Sequence, residues 1–283
     1  MLRQRVITAM VLLCVLLPAM FYKSPMPFCA VALVLIAAGG WEWGRLNACS
    51  PFINIFLGLT TASVCGLAWY EGLLESSLSH LWLLTGGAWV LLGGALLRGG
   101  ISNWPHIPKF VRLLGGIAVL CIAWLAVAQA RLLGISFLLS VLLLVWVADI
   151  AAYAAGRAYG GKFTKQKLAP AISPGKSWEG VLGGMAGVLL LATIWSLVER
   201  SGNALFPSSL FAYLWSRHGV WVMLLGVLFL TAMSVVGDLV ESLVKRSAGV
   251  KDSSGLLPGH GGVLDRVDAL LPAVPLAMML VNL

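Results

Sequence analysis

Charge is scarce in this chain. Asp, Glu, Lys and Arg together supply 11 % of its 283 residues, 60 % are hydrophobic, and the mean hydropathy is +0.94. A soluble domain of this length has no use for so much apolar surface, which excludes an ordinary water-soluble globule. Cysteine is sparse and unpaired as well. Cys14, Cys29, Cys49, Cys65 and Cys121 are scattered, mostly within apolar runs, with no C-x-x-C spacing. They read as small buried hydrophobes rather than as a disulfide frame or a zinc site. Tandem repeats, low-complexity segments and an appended soluble domain are also lacking.

Long apolar runs are what the chain has instead, near residues 6–22, 27–44, 52–70, 80–97, 113–130, 132–155, 178–198, 219–236 and 269–283. Several approach the roughly 20 residues that cross about 30 Å of hydrocarbon. The last is only 15 residues long and carries Pro272 and Pro275, so it is the least secure. Arg3 and Arg5 ahead of the first run look like the start of a secretory signal, but no small-x-small cleavage site follows and more spans do; the run is read as a retained first helix. With the N-terminus inside and all nine runs spanning, fifteen of the nineteen basic residues fall on the inner side, as the positive-inside rule requires. The expected fold class is therefore all-α: a polytopic integral membrane helical bundle of about nine transmembrane helices, N-terminus cytoplasmic. One integral membrane domain is expected over residues 1–283, with N-terminal helices in 1–130 and catalytic helices and cytoplasmic loops in 131–283.

The few polar groups are not evenly spread. Five of the eleven acidic residues, Asp238, Glu241, Asp252, Asp265 and Asp268, lie between residues 238 and 268. Asp238, Glu241, Ser242 and Lys245 continue the eighth apolar run at i, i+3, i+4 and i+7, which puts them on one helical face. Residues 253–262 hold Gly255, Gly259, Gly261, Gly262 and Pro258, a loop whose permissive backbone can aim several N–H groups at phosphate oxygens. Lys251 and Asp252 precede it; Asp265 and Arg266 follow. Asp265 and Asp268, at i, i+3, can share a helical face and point at one metal, and so sparse a carboxylate set suits magnesium better than calcium. His260 reads as a ligand or base, or more commonly as a structural histidine in a Gly-rich loop.

Two further clusters fall on the same side of the membrane. Ser173, Lys176 and Ser177 stand just before Glu179 and a new apolar run, where a hydroxyl–lysine–hydroxyl turn at a helix N-terminus binds anions; the Walker A spacing is absent. Lys162, Lys165 and Lys167 read more simply as headgroup attraction. Asp149 lies inside the sixth run with Tyr153 and Arg157 on its side, and a charge there faces a bundle interior or a water-filled cavity. Gly156 and Gly160, spaced G-x-x-x-G, read as a packing device. Glu42, between Trp41 and Trp43, reads first as a helix-end carboxylate in the headgroup region and second as one facing a cavity. Together these residues point to phosphate chemistry with a divalent metal at the cytoplasmic membrane surface.

Residues 242–268 closely resemble the signature of the phosphatidate cytidylyltransferases (CDP-diglyceride synthases): S-x-apolar-K-R, K-D, H-G-G and D-R-x-D, met by Ser242, Lys245, Arg246, Lys251, Asp252, His260, Gly261, Gly262, Asp265, Arg266 and Asp268. Residues 149–156 (D-x-x-A-Y-x-x-G) and 173–180 (S-P-x-K-[TS]-x-E-G) are similar to further family elements, with Ser177 standing where threonine is often found. The resemblance covers roughly residues 145–270 and implies that CTP and phosphatidic acid give CDP-diacylglycerol and pyrophosphate, with magnesium and, in the family, room for a second, monovalent cation. It implies catalytic roles for Asp265, Asp238, Asp252 and Lys251, with Asp238, Asp265 and Asp268 as metal ligands. Ser173, Lys176, Ser177, Ser242, Lys245, Arg246, His260, Gly261, Gly262 and Arg266 would bind the substrates. The expected partners are CTP, phosphatidic acid and membrane lipids, with no nucleic acid; a homodimer is left open. The expected location is the bacterial cell inner membrane, with the site on its cytoplasmic side.

Other classes fit less well. A CTP-dependent lipid-alcohol kinase would share a membrane nucleotide site but release CDP rather than pyrophosphate. The D-G-x-x-A-R…G-x-x-x-D-x-x-x-D pattern of the CDP-alcohol phosphotransferases is missing. A transporter would account for Asp149 and Asp238 as an ion path, but not for the H-G-G-V-L-D-R-V-D segment, and no matching half-repeat is present.

Overall fold

The computed structural model describes residues 2–202 and 208–283. Among them, eight helices are long and apolar enough to cross a bilayer, one for each of the first eight apolar runs: α1 (Leu2–Phe21), α2 (Met26–Leu46), α3 (Pro51–Tyr70), α4 (Ser79–Asn103), α5 (Lys109–Leu133), α6 (Ile135–Tyr159), α7 (Trp178–Arg200) and α9 (Val220–Ser247). Between them lie a short hairpin, β1 (Lys167–Ala169) and β2 (Ser173–Ser177), and the short helix α8 (Leu210–His218); α10 (Leu264–Val267) and α11 (Leu270–Val281) end the chain. The molecule is an all-α polytopic bundle, since the one hairpin is local and antiparallel.

The ninth run behaves differently from the other eight. At about 1.5 Å per residue α11 is roughly 18 Å long, well short of about 30 Å of hydrocarbon. Leu271, Val274, Leu276, Ala277 and Met278 are all buried, so the helix is apolar on every side because it lies inside the bundle, against α9, α5 and α4. Pro272 sits in its first turn, where the backbone N–H has no helical partner to lose.

Helices in a bilayer gain little from burying apolar surface against one another, so close packing relies on small residues. The α6–α7 seam follows that rule. A Cβ added to Gly180 would lie 3.7 Å from the Cα of Gly156, and one added to Gly184 would lie 2.9 Å from the carbonyl oxygen of Ala148. The expected packing role of Gly156 is thus realised against α7. The seam brings the start of α7, and the hairpin before it, to the C-terminal end of α6. Glu179, in the first turn of α7, then ties down the start of the connecting loop: its Oε1 accepts the N–H groups of Phe163 (3.1 Å) and Thr164 (2.8 Å) and the Thr164 hydroxyl (2.9 Å).

α9 is the organising element, packed against α4, α7, α8 and α11. Gly237, one residue before Asp238, sets how closely α11 approaches: a Cβ there would lie 2.5 Å from the carbonyl oxygen of Asp268 and 2.7 Å from the Pro272 ring. Neither neighbour is a flexible side-chain tip, so Gly237→Ala has to push the segment 268–272 away from α9. Overpacking of this kind costs about 1–3 kcal/mol. Thermal unfolding in detergent should show a lower midpoint for Gly237→Ala; an unchanged midpoint would contradict this contact.

Candidate active site

The polar face of α9 forms as its spacing requires. The Ser242 hydroxyl donates to Asp238 Oδ1 (3.2 Å), and Lys245 pairs with Glu241 one turn back. Lys245 also reaches across to Asp265 Oδ1 at 2.6 Å. The Lys245, Glu241 and Asp265 side chains are only 11 %, 4 % and 5 % exposed. Charges so thoroughly removed from water persist only when paired and hydrogen-bonded. Asp265 meets that condition at both oxygens, because its Oδ2 accepts the Ser253 N–H (2.8 Å), the Ser253 hydroxyl (2.9 Å) and the Gly262 N–H (2.7 Å). Burial pushes the Asp265 carboxyl up, but the Lys245 hydrogen bond and charge and the Gly262 and Ser253 N–H groups outweigh it and hold the group below the usual carboxylate range. Gly261 adopts φ +84°, and a Cβ there would lie 2.7 Å from Asp265 Oδ2. The glycine serves both the turn and the close approach.

The other half of the site is wetter. Lys176, in β2, places Nζ 2.5 Å from Asp238 Oδ2, with side chains 25 % and 29 % exposed. Asp268 Oδ1 accepts the Ala269 N–H at 2.8 Å. Burial, followed by the nearby charges of Asp238 and Asp149, raises the Asp268 carboxyl well above the usual carboxylate range. Asp149 itself is exposed, although about 15 Å of helix separates it from the C-terminal end of α6. A carboxylate at that depth calls for a cation or water beside it. Tyr153 and Arg157 continue the same exposed face, joined by a 3.4 Å hydrogen bond.

The metal ligands expected from the sequence are therefore divided. Asp238 and Asp268 come together, with Asp149 beside them, while both oxygens of Asp265 are engaged by Lys245, Ser253 and Gly262. Among the described residues no three His, Cys, Asp or Glu side chains stand close enough to form a ready-made metal cage. Asp149, Asp238 and Asp268 nonetheless fit a magnesium ion in chemistry: all donors are oxygen, and their mutual repulsion is only partly offset by Lys176 and Lys245. A cation that keeps several waters and shares substrate phosphates needs no more protein ligands than this.

The remaining expected site residues form a rim. Lys251 and Asp252 are exposed. Arg246, also exposed, donates to the carbonyls of Ile172 (3.4 Å) and Val250 (3.3 Å). Arg266 donates through Nε (3.0 Å) and Nη2 (2.6 Å) to the carbonyl of His260, whose ring Nδ1 is buried without a partner among the described residues. Ser173 and Lys176 lie on a strand rather than in a turn, and the Ser177 hydroxyl caps α7 by accepting the Gly180 N–H at 3.1 Å. Lys167, exposed as a headgroup contact would be, donates to the Pro174 carbonyl within the hairpin (2.6 Å).

Glu42 is the residue that sequence reasoning misplaced. It is fully buried rather than interfacial, and it accepts hydrogen bonds from Ser253, Ser254, Val263 and Leu264. The available signal was a carboxylate within an apolar helix just after Gly39 and Gly40, but nothing local named the partner segment more than 200 residues away.

Comparison with known proteins extends the resemblance to the whole chain. The model of the cytidylyltransferase family matches residues 3–283. The chain belongs to the cytidylyltransferase family. Proteins named phosphatidate cytidylyltransferase are similar to it over nearly their full length. The one from Haemophilus influenzae is 40 % identical, with 97 % of this chain and 96 % of the relative covered. Those from Pseudomonas aeruginosa and Brucella suis are 36 % and 34 % identical, with 97 % of this chain and 95 % and 91 % of the relatives covered. The family match includes α1–α5, and hence Glu42, as well as the loops that carry the signature.

The two halves of the site should respond differently to loss of their lysines. The Lys176–Asp238 pair is partly exposed, so Lys176→Met should cost about 1 kcal/mol or less. Lys245→Met leaves Glu241 and Asp265 buried together without a cation, which costs about 3–5 kcal/mol. Unfolding midpoints in detergent should fall far more for Lys245→Met than for Lys176→Met; equal effects would contradict the division into a dry and a wet half.

Proposed function

We propose that the chain is a phosphatidate cytidylyltransferase. A phosphate oxygen of phosphatidate attacks the α-phosphorus of CTP; the new P–O bond forms as the bond to the β-phosphate oxygen breaks, giving CDP-diacylglycerol and pyrophosphate. The observation that carries this reading is the gathering of Asp149, Asp238 and Asp268 with Lys176 at the ends of apolar helices. One substrate has to arrive from water and the other from lipid, and a charged cluster there serves both. The full-length relatives and their shared name support the same reaction.

Little covalent work falls to the protein in phosphoryl transfer; alignment and charge neutralisation dominate. Lys176, Lys251, Arg246 and Arg266 supply positive charge along the rim, where the triphosphate and the lipid phosphate would otherwise repel one another. Ser173 and Ser177 add hydroxyls beside Lys176. Lys245 is already committed to Glu241 and Asp265, so its part is to fix Asp265 and, through it, the Gly262 turn. Asp238, Asp268 and Asp149 would hold magnesium, which would supply neutralising charge for the phosphates. The bacterial relatives and the concentration of basic residues on one side support an inner-membrane location with the N-terminus and the site facing the cytoplasm.

The test is cytidylyl transfer by the purified protein in detergent–phosphatidate micelles with CTP and magnesium, following pyrophosphate and CDP-lipid together. Equal amounts of the two products are expected, dependent on magnesium, with Asp238→Asn at least about a hundredfold slower, as expected when electrostatic support for a transferring phosphoryl group is lost. Formation of CDP and a phosphorylated lipid in place of those products would overturn the assignment, as would full activity in Asp238→Asn for the carboxylate site.

A further inference from the structure

We infer that Glu42 is a positioning residue for the transfer reaction, setting the backbone of the 253–264 loop and, through Ser253, the orientation of Asp265. The inference rests on the proposed reaction for its catalytic consequence, though not for its structural one.

Its carboxylate is fully buried, and its two oxygens face four donor groups, one of them the Ser253 hydroxyl, whose single proton is shared with Asp265. Oε1 accepts the Ser254 hydroxyl (2.5 Å) and the Val263 N–H (2.9 Å); Oε2 accepts the Ser253 hydroxyl (3.1 Å) and the Leu264 N–H (2.8 Å). That fills the acceptor capacity of a carboxylate. Val263 and Leu264 open α10, where N–H groups have no helical partner of their own, so Glu42 decides where α10 begins. Asp265 is the next residue. The Ser253 hydroxyl lies between the two acids, 3.1 Å from Glu42 and 2.9 Å from Asp265. A Cβ on Gly262 would run into both the Ser253 hydroxyl and the Glu42 carboxylate, which leaves the loop no room to settle elsewhere.

The arrangement is more than generic support for a buried loop. Glu199, at the opposite end of α7, is also multiply bonded: it accepts the Ser209 N–H (3.0 Å) and hydroxyl (2.6 Å), the Ser136 hydroxyl (3.2 Å) and the Trp195 indole N–H (3.2 Å). None of those partners belongs to the site, which makes Glu199 the natural control. Glu42 instead links a helix of the N-terminal half to the segment that holds Asp265, and so places α2 within the working parts of the molecule.

The test compares the full chain with Glu42→Gln and Glu199→Gln in detergent, by amide hydrogen exchange, unfolding midpoint, and kcat and KM for CTP. For Glu42→Gln, exchange across residues 253–264 should rise at least about tenfold, as expected when a local hydrogen-bonded unit opens more readily. Its kcat should fall at least about tenfold with KM for CTP changed less than about twofold, the pattern of a contact that matters in the transition state. Glu199→Gln should lower the midpoint while leaving loop exchange and kcat unchanged. If Glu42→Gln fails to fold, Ser254→Ala removes one donor without stranding a buried charge and should move the same readouts in the same direction, less far. Wild-type exchange and kcat in the Glu42 or Ser254 variant would overturn the proposal. So would an equal kcat loss in Glu199→Gln at an equal midpoint shift. Faster loop exchange in Glu42→Gln, in a protein that makes no CDP-lipid even as wild type, would uphold the loop-setting role and remove the reaction assignment instead.

Discussion

Lys245 sits where a membrane protein can least tolerate an unbalanced charge, and the rest of the site follows from how it is balanced. Its ammonium group lies between Glu241, one turn back on α9, and Asp265, on the far side of a Gly-rich loop. The first contact is local to the helix and would form wherever α9 went. The second is not local: it closes a loop of 20 residues and makes the signature segment return to the helix that it left. Once Asp265 is there, Ser253 and Gly262 must present their N–H groups to it, and Glu42 meets the same segment from beneath. The catalytic loop is held chiefly by charge-assisted hydrogen bonds, which is why an apolar bundle concentrates so many of its few polar residues in one place.

The same geometry explains why the carboxylates differ in character. Asp265 is held by Lys245, Ser253 and Gly262, which keep its carboxyl below the usual carboxylate range. Asp238, Asp268 and Asp149 crowd one another, with Lys176 paired to Asp238 and Lys245 acting on Asp268. Gly237 makes that crowding possible by letting the backbone of Asp268 come up against α9.

Much of this could be read from residue spacing. Run length pointed to about nine spans, of which eight are long enough to cross a bilayer among the described residues, and Asp238, Glu241, Ser242 and Lys245 were bound to share a face because a helix repeats every 3.6 residues. What escaped was whatever depends on pairing across the chain. Glu42 looks interfacial beside two tryptophans until its partners at residues 253–264 are known. Asp265 and Asp268 look equivalent at i, i+3, but one is claimed by Lys245, and the other is set apart by burial and then by the charge of Asp238. The hairpin at residues 167–177 is too short, and too interrupted by Pro170 and Pro174, for a period of two to show. α11 is as apolar as a span because it is buried by other helices rather than by lipid.

If Lys245 is the charge on which the dry half depends, its replacement should be rescued by removing the charges that it balances. The decisive measurement is the unfolding free energy of Lys245→Met beside that of the triple variant Lys245→Met/Glu241→Gln/Asp265→Asn. A buried ionic cluster made neutral throughout can recover stability that is lost when only one partner is removed. The account predicts that the triple variant regains most of the loss. A triple variant no more stable than Lys245→Met would contradict it, and would place the hold on the catalytic loop elsewhere.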